Sequence, residues 1–280
     1  MKNIGGWTQL TVRLSRNACD TKRIRWFFVV LPATVMLVAG CAATVGGTAK
    51  PAPSLTSRPL TGLTVDHVLL DDRTLSRIVK QSLNIDPRFP PRFGGAEELR
   101  DDAPALPDDC LGVAAMLQQS VYQSSKVEDV AVETWRHAAK SADVTSVQEG
   151  VVSLPTADDA QALFRDFSQQ WQKCDGTTTS LPGSVFRLKG KITNVQAFTS
   201  LLAATVSVGW TPRDAEPNWD AESIPAGRAI GVRGNCVIEV EVDVFHGSNP
   251  LGQGSGTAGN FNAAAIDIAH AMMDKIRALI

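Results

Sequence analysis

The chain has 280 residues, enough for one large domain or two small ones, with 27 basic and 29 acidic side chains. Six of the basic residues but a single acid precede Cys41, which leaves 21 basic against 28 acidic groups, a net charge of −7, from Cys41 onward. An acidic body argues against a nucleic-acid binder, which needs a basic face for phosphates, and four histidines with five cysteines leave little room for a metal cluster.

The first segment reads as an address. Lys2, Arg13, Arg16, Lys22, Arg23 and Arg25 precede an uncharged apolar run from Trp26 to Gly40. As a helix that run spans roughly 22 Å, short of the ~30 Å hydrocarbon core. Basic residues, a short apolar run and small residues at its end describe a secretory signal peptide. The run closes in Val38-Ala39-Gly40-Cys41, which resembles the bacterial lipobox. That resemblance implies cleavage between Gly40 and Cys41, a diacylglycerol on the Cys41 thiol, and an anchored protein on the extracytoplasmic face of the cell membrane. The expected organisation is a signal peptide over 1–40, a flexible linker rich in small residues and proline over 41–60, and a folded body over 61–280.

With Cys19 in the signal and Cys41 lipidated, Cys110, Cys174 and Cys236 remain in an oxidising compartment. Three cysteines allow one bridge and one leftover, and counting alone leaves the pairing open. No CxxC or HxxxH spacing occurs, so no metal site is expected.

Along the body, Val68-Leu69-Leu70 reads as a short strand running into an N-cap at Asp71-Asp72, with a helix to about Leu83. Residues 84–107 carry five prolines and glycines between 87 and 95 and read as a loop. Asp108-Asp109 then cap a helix from Cys110 to about Tyr122. Strands are predicted over Val130–Ala139 and Val144–Leu154. Thr156 with Asp159 resembles a capping box, and the helix it opens carries Ala160, Leu163, Phe164, Phe167 and Trp171 on one core stripe. Phe186–Phe198, Leu201–Trp210 and Ala226–Val232 read as strands. Cys236 to Phe245 alternates with period two, its even positions facing the core and burying Cys236. A final helix spans Asn262 to Ile280, with Ala265, Ile268, Ala269, Met272, Ile276 and Leu279 on its stripe. Strands interrupted by helices without regular alternation favour an α+β fold, an antiparallel β-sheet flanked by helices.

Catalytic motifs are weak. Gly254-Ser255-Gly256-Thr257-Ala258-Gly259 matches G-x-G-x-x-G. About eight residues separate it from the preceding strand, and no parallel strand follows to reach a ribose, so a glycine-rich loop explains it better. No G-x-S-x-G elbow occurs. His67, His137, His246 and His270 have no nucleophile beside them in sequence and read as surface or structural residues. No carboxylate pair is marked out.

From about residue 60 onward the chain resembles the extracellular sensor domain of mycobacterial receptor Ser/Thr kinases, the PknH-like sensor domain. The matching pieces are Leu69-Leu70, Cys110-Leu111-Gly112, Val121-Tyr122, Gly150 to Pro155, Ala157 to Phe164, Gln170-Trp171-Gln172-Lys173-Cys174, and Arg228-Ala229-Ile230 followed by Arg233-Gly234-Asn235 and Val237 to Val240. The resemblance implies a helix-flanked antiparallel sheet with a cleft for an extracellular ligand, no established catalysis and no cofactor. It also implies a Cys110–Cys174 disulfide. A second disulfide of that family falls near Ala226 and Val242 and is absent here, which leaves the loop Gly209–Pro225 unstapled. The expected function is a ligand-binding, sensor-like envelope lipoprotein without kinase domain or enzymatic activity. Its expected partners are the membrane, through Cys41, and a small-molecule, glycan or envelope-protein ligand. A structural lipoprotein and an envelope hydrolase are the alternatives.

Overall fold

The computed structural model describes residues 58–101, 108–138, 143–181, 186–212, 223–244 and 260–280. The signal segment, Gly40, Cys41, residues 41–57 of the linker, His246 and the Gly254–Gly259 motif lie outside the described residues. Among the described residues no helix is long and apolar enough to cross a membrane.

Among the described residues, nine strands form one antiparallel sheet: β1 (Leu83–Ile85), β2 (Arg92–Gly94), β3 (Asp129–His137), β4 (Val144–Ser153), β5 (Thr178–Leu181), β6 (Phe186–Ala197), β7 (Leu201–Pro212), β8 (Ser223–Arg233) and β9 (Cys236–Val244). Their order is β1-β3-β4-β9-β8-β7-β6-β5, and β2 also pairs with β3. The sheet is open, and helices cover both faces. Helix α1 (Asp72–Val79) and helix α5 (Asn260–Leu279) pack on one side. On the other lie α2 (Leu111–Ala114), α3 (Gln119–Tyr122) and α4 (Ala157–Cys174). This is the expected α+β arrangement.

Two cores follow from that layering. Cys236, Ile238, Val240, Val242 and Val244 face α5 together with Ala265, Ile268, Met272 and Ile276. Val237, Ile230, Val152 and Val130 face the α4 stripe of Ala160, Leu163, Phe164, Phe167 and Trp171. The α5 layer lies close enough that a Cβ on Gly227 would stand 2.6 Å from the Phe261 carbonyl oxygen. Cys236 is a buried free thiol whose pKa is pushed up to about 12 by burial, then by Asp129. Leu279, expected on the core stripe, is exposed in the last turn.

Local chemistry explains most boundaries. The Asp71 side chain accepts from the Thr74 amide at 2.7 Å and starts α1. Lys80 adopts a left-handed conformation (φ 58°) and ends it before the expected Leu83. Thr156 accepts from the Asp159 amide at 3.1 Å and donates to the Asp159 carboxylate at 2.7 Å, opening α4.

Four expectations fail for tertiary reasons. Leu69-Leu70 is not a strand: a 3₁₀ turn at Asp66–Val68 precedes it, and the Leu70 amide donates to the Glu149 side chain instead of to a strand. Part of the expected loop forms β1 and β2, each too short to carry a visible period. The expected Cys110–Tyr122 helix is broken. Ala115 is extended, Leu117 has φ 54°, and the Leu117 amide donates to Glu239 while its carbonyl accepts from Arg100. Leu117 fits against β4 because Gly150 has no side chain; a Cβ there would meet it at 2.7 Å. Finally, the odd positions of β9 are not a solvated edge: Val237 and Glu239 are buried, and Glu241 and Asp243 are half-buried.

Cys110 and Cys174 form a disulfide, tying the start of α2 to the end of α4. A loop of that size contributes roughly 4 kcal/mol by the chain-entropy estimate. Ala226 and Val242 lie on opposite faces of the sheet, Ala226 beside a groove and Val242 under α5. The expected loop Gly209–Pro225 is partly strand, in β7 and β8, and residues 213–222 lie outside the described residues.

Candidate functional site

Helices α2 to α4 cover only part of their face of the sheet. Alternation along each strand keeps the same side facing outward beyond them, and the pairing registers place these side chains in rows. One row runs Thr134, Gln148, Glu241, Arg228, Ala204 across β3, β4, β9, β8 and β7. The next runs Arg136, Ser146, Asp243, Ala226, Val206. Thr134, Gln148 and Glu241 of the first row and Ser146 and Asp243 of the second floor a groove of about 510 Å³ whose wall is Arg88, Phe89, Pro90, Arg92 and Arg100. A second hollow of about 260 Å³ shares Glu241 and Asp243 and continues to Val206, Val208, Ile224 and Ala226. A third, of about 450 Å³, shares Arg88 and Ser146 and reaches Arg136 and His137.

The floor is anchored by a buried charge network. Arg228 has no exposed surface; its Nη2 donates to Glu239 Oε2 at 2.9 Å and to the Gly112 carbonyl at 3.3 Å, and its Nε to the Val113 carbonyl at 3.1 Å. Glu239 Oε1 in turn accepts from the Tyr122 hydroxyl at 2.7 Å and from the Leu117 amide at 3.1 Å. Arg228 Nε stands 3.7 Å from Glu241 Oε2, so the buried network touches the groove floor through one ion pair. Burial, then the neighbouring Asp243, pushes Glu241 up to about 7 against the pull of Arg228 and Arg100. Asp243 is also raised, first by burial, although the Ser146 hydroxyl donates to it at 2.5 Å.

The groove wall is set by another pair. Arg88 donates to Asp86 through both Nε and Nη2, which holds Asp86 down at about 2. The Arg88 guanidinium also lies 5.7 Å from the Phe89 ring centre.

On the opposite face a second acid is buried away from the groove. Glu149 accepts from the Leu70 amide at 3.2 Å and from the Trp135 indole at 3.1 Å. Burial pushes it up to about 8; Glu133 adds to the rise, while those two donors and Lys275 oppose it. Between its unfolded value of 4.5 and about 8, the native state holds a proton that the unfolded chain has released. Stability must therefore fall as pH rises through that window, on the order of a few kcal/mol. Glu241 adds to the same slope up to about 7. Asp86 has the opposite sign: its stabilisation is full above 3.8 and is lost as pH falls toward 2. We expect urea midpoints highest near pH 4–5 and declining to pH 8, with Glu149→Gln removing most of the decline above pH 7. A wild-type midpoint that rises between pH 5 and 8 would contradict the burial of both acids.

Of the residues singled out in the sequence, Cys110 and Cys174 lie beneath the helix layer and outside the groove. His67 and His270 are exposed, and His137 stands at the groove's outer end. Among the described residues no cluster of three or more histidine, cysteine or carboxylate side chains is placed to hold a metal ion. Sequence reasoning missed Arg228, Glu239, Glu241 and Asp243. Their signal was present: three acids two residues apart on one face of an otherwise valine-rich strand, paired with a strand whose Arg228 sits among small and apolar residues.

Comparisons bear on this architecture. The profile of the family described as PknH-like extracellular domain matches residues 60–275. The crystal structure of the extracellular domain of PknH from Mycobacterium tuberculosis aligns with a TM-score of 0.61 at 17% identity, covering 79% of this chain and 99% of that one. An X-ray structure of an uncharacterised Mycobacterium smegmatis protein aligns with a TM-score of 0.31 at 8% identity, over 71% of this chain and 97% of that one. No curated protein sequence matches the chain.

Proposed function

The chain belongs to the PknH-like extracellular domain family, and from that premise we propose that it is a lipid-anchored, extracytoplasmic receptor domain that binds a ligand in the groove and performs no catalysis. One observation carries the reading. Glu241 and Asp243, held at high proton affinity by burial, lie on the floor of an open groove beside an arginine-rich wall, and the Ser146 hydroxyl donates to Asp243 there. Concave surface with a few convergent polar groups is what a small ligand requires.

The placement of the chain's entry supports this reading. The Leu60 amide donates to Asn235 Oδ1 at 2.8 Å and the Asn235 amide returns a bond to the Leu60 carbonyl at 2.9 Å. Asn235 is the turn before β9, whereas Asp243 is near its far end, about 27 Å away at 3.4 Å per residue. The described chain therefore enters the body at the end of β9 opposite the acids of the groove.

Two results are expected. The full-length protein, purified from membranes and examined by native mass spectrometry, should carry a bound small molecule that Gln148→Trp, which fills the groove floor, expels. Equal masses for the two proteins after subtracting the substitution would count against the groove. Replacing Cys41 by Ser should release the protein from membranes or leave an uncleaved precursor. An intact mass of the membrane form without acyl addition at Cys41 would defeat the anchor.

A further inference from the structure

We infer that the groove receives the C-terminal end of a short peptide whose last residue is basic, with an aliphatic side chain about six residues earlier. This rests on the ligand-binding reading above and names the ligand's class.

The three joined hollows form one trough that crosses the strands, and its chemistry changes in order. Arg88 and Arg136 stand at the β3 end. Glu241 and Asp243 lie on β9 in the middle. Val206, Val208, Ile224 and Ala226, from β7 and β8, make the far end apolar. Neighbouring strands are about 4.8 Å apart, so each step from anchor to anchor covers two strands, or about 10 Å.

The middle is short of positive charge. Arg228 and Arg100 face Glu241, but Arg228 is already bonded to Glu239 and to two carbonyls. Two guanidiniums thus serve Glu239, Glu241 and Asp243, and a ligand cation supplies what is missing. At the β3 end Arg88 and Arg92 each hold one carboxylate, Asp86 and Glu98, while Arg136 adds a further exposed guanidinium that suits a carboxylate. A lysine's four-carbon stem separates its ammonium from its own carboxylate by a distance of the order of one anchor step. The backbone leaves from the carboxylate, so reaching the valines means spanning both steps, about 20 Å or roughly six extended residues. A glycan would find a single stacking platform: Phe89 is the one aromatic among the described lining residues, 57% exposed, with the Arg88 guanidinium 5.7 Å from its ring centre.

The test uses full-length protein in detergent, calorimetry and hydrogen-exchange mass spectrometry, with Ac-Leu-Ala-Ala-Ala-Ala-Ala-Lys as the probe. Binding should be saturable and should slow exchange in β9 around Glu241–Asp243 and in β3 around Arg136. Amidating the probe's carboxylate, or replacing its lysine by norleucine, should each weaken binding by roughly tenfold or more. Asp243→Asn should weaken the parent peptide and leave the norleucine peptide unchanged. Equal affinity for the parent, amidated and norleucine peptides would overturn the proposal. If chitotetraose, and not the peptides, protects β9 and β3, the peptide class is wrong and the groove remains a ligand site. If neither probe protects the groove while either protects another surface, or if neither binds at millimolar concentration, the peptide proposal fails. Only the first of those two outcomes, with protection elsewhere, also removes the groove as the binding site.

Discussion

Glu239→Ala is expected to lose at least about 5 kcal/mol of stability, a large share of the ~5–15 kcal/mol that holds a domain folded. The carboxylate is 2% exposed and serves three partners at once: Arg228, the Tyr122 hydroxyl and the Leu117 amide. Removing one member of a buried ion pair costs about 3–5 kcal/mol, because the other charge stays buried, and Arg228 keeps only the longer 3.7 Å pairing with Glu241. Two further donors lose their acceptor, at about 1–3 kcal/mol each if they find no water. The effect should spread beyond the pair. The Leu117 amide fixes the left-handed break between α2 and α3, so those short helices should exchange hydrogen faster in the variant. A double variant, Arg228→Met with Glu239→Ala, removes the orphaned charge and should be more stable than Glu239→Ala alone. Urea unfolding of wild type, Glu239→Ala, Arg228→Met and the double variant tests this. If the double variant lost the sum of the two single losses, the ion pair would be energetically uncoupled and this account of the core would fail.

That network also marks the limit of what could be read from the chain. The α4 stripe, the β6–β7 pair, the capping residues Asp71 and Thr156 and the burial of Cys236 are legible because each follows from spacing within one segment. The alternation in β9 was legible too, but its meaning was not. Val237 and Glu239 look like the wet side of a half-exposed strand, and only the three-layer packing turns that side into a second core. Arg228 reads as an ordinary charge in a strand until β9 brings Glu239 and Glu241 against it. The same holds for the break at Leu117. Local propensity favours a continuous helix from Cys110, and the competing bonds to Glu239 and Arg100 come from residues 122 and 17 positions away. The groove is a further step removed, since it exists only because the α2–α4 layer stops short of the sheet's far end. Its acids come from a run that sequence periodicity assigns to solvent.

Trp171→Ala distinguishes a packing residue from a ligand-stacking one. Trp171 has no exposed surface, lies in the core between α4 and the sheet, and is absent from the groove's lining. Emptying a buried aromatic site costs about 3–5 kcal/mol, which for a domain of this size lowers the melting temperature by about 6–20 °C. The Arg228 guanidinium lies 6.0 Å from the indole ring, so the vacated space would adjoin a buried charge and readily admit water. Hydration of that space should weaken the hold of Arg228 on Glu241 and loosen the groove floor as well as the core. Trp171→Phe separates these contributions. The indole N–H has no hydrogen-bond partner among the described residues, so phenylalanine gives up ring volume without giving up a bond. Its loss should therefore fall well below that of alanine, while the Cys110–Cys174 bridge forms in both variants because its half-cystines are held by α2 and α4 independently of the ring. A melting temperature of the alanine variant within a degree or two of wild type, measured without ligand, would refute the core role and move Trp171 to the binding surface.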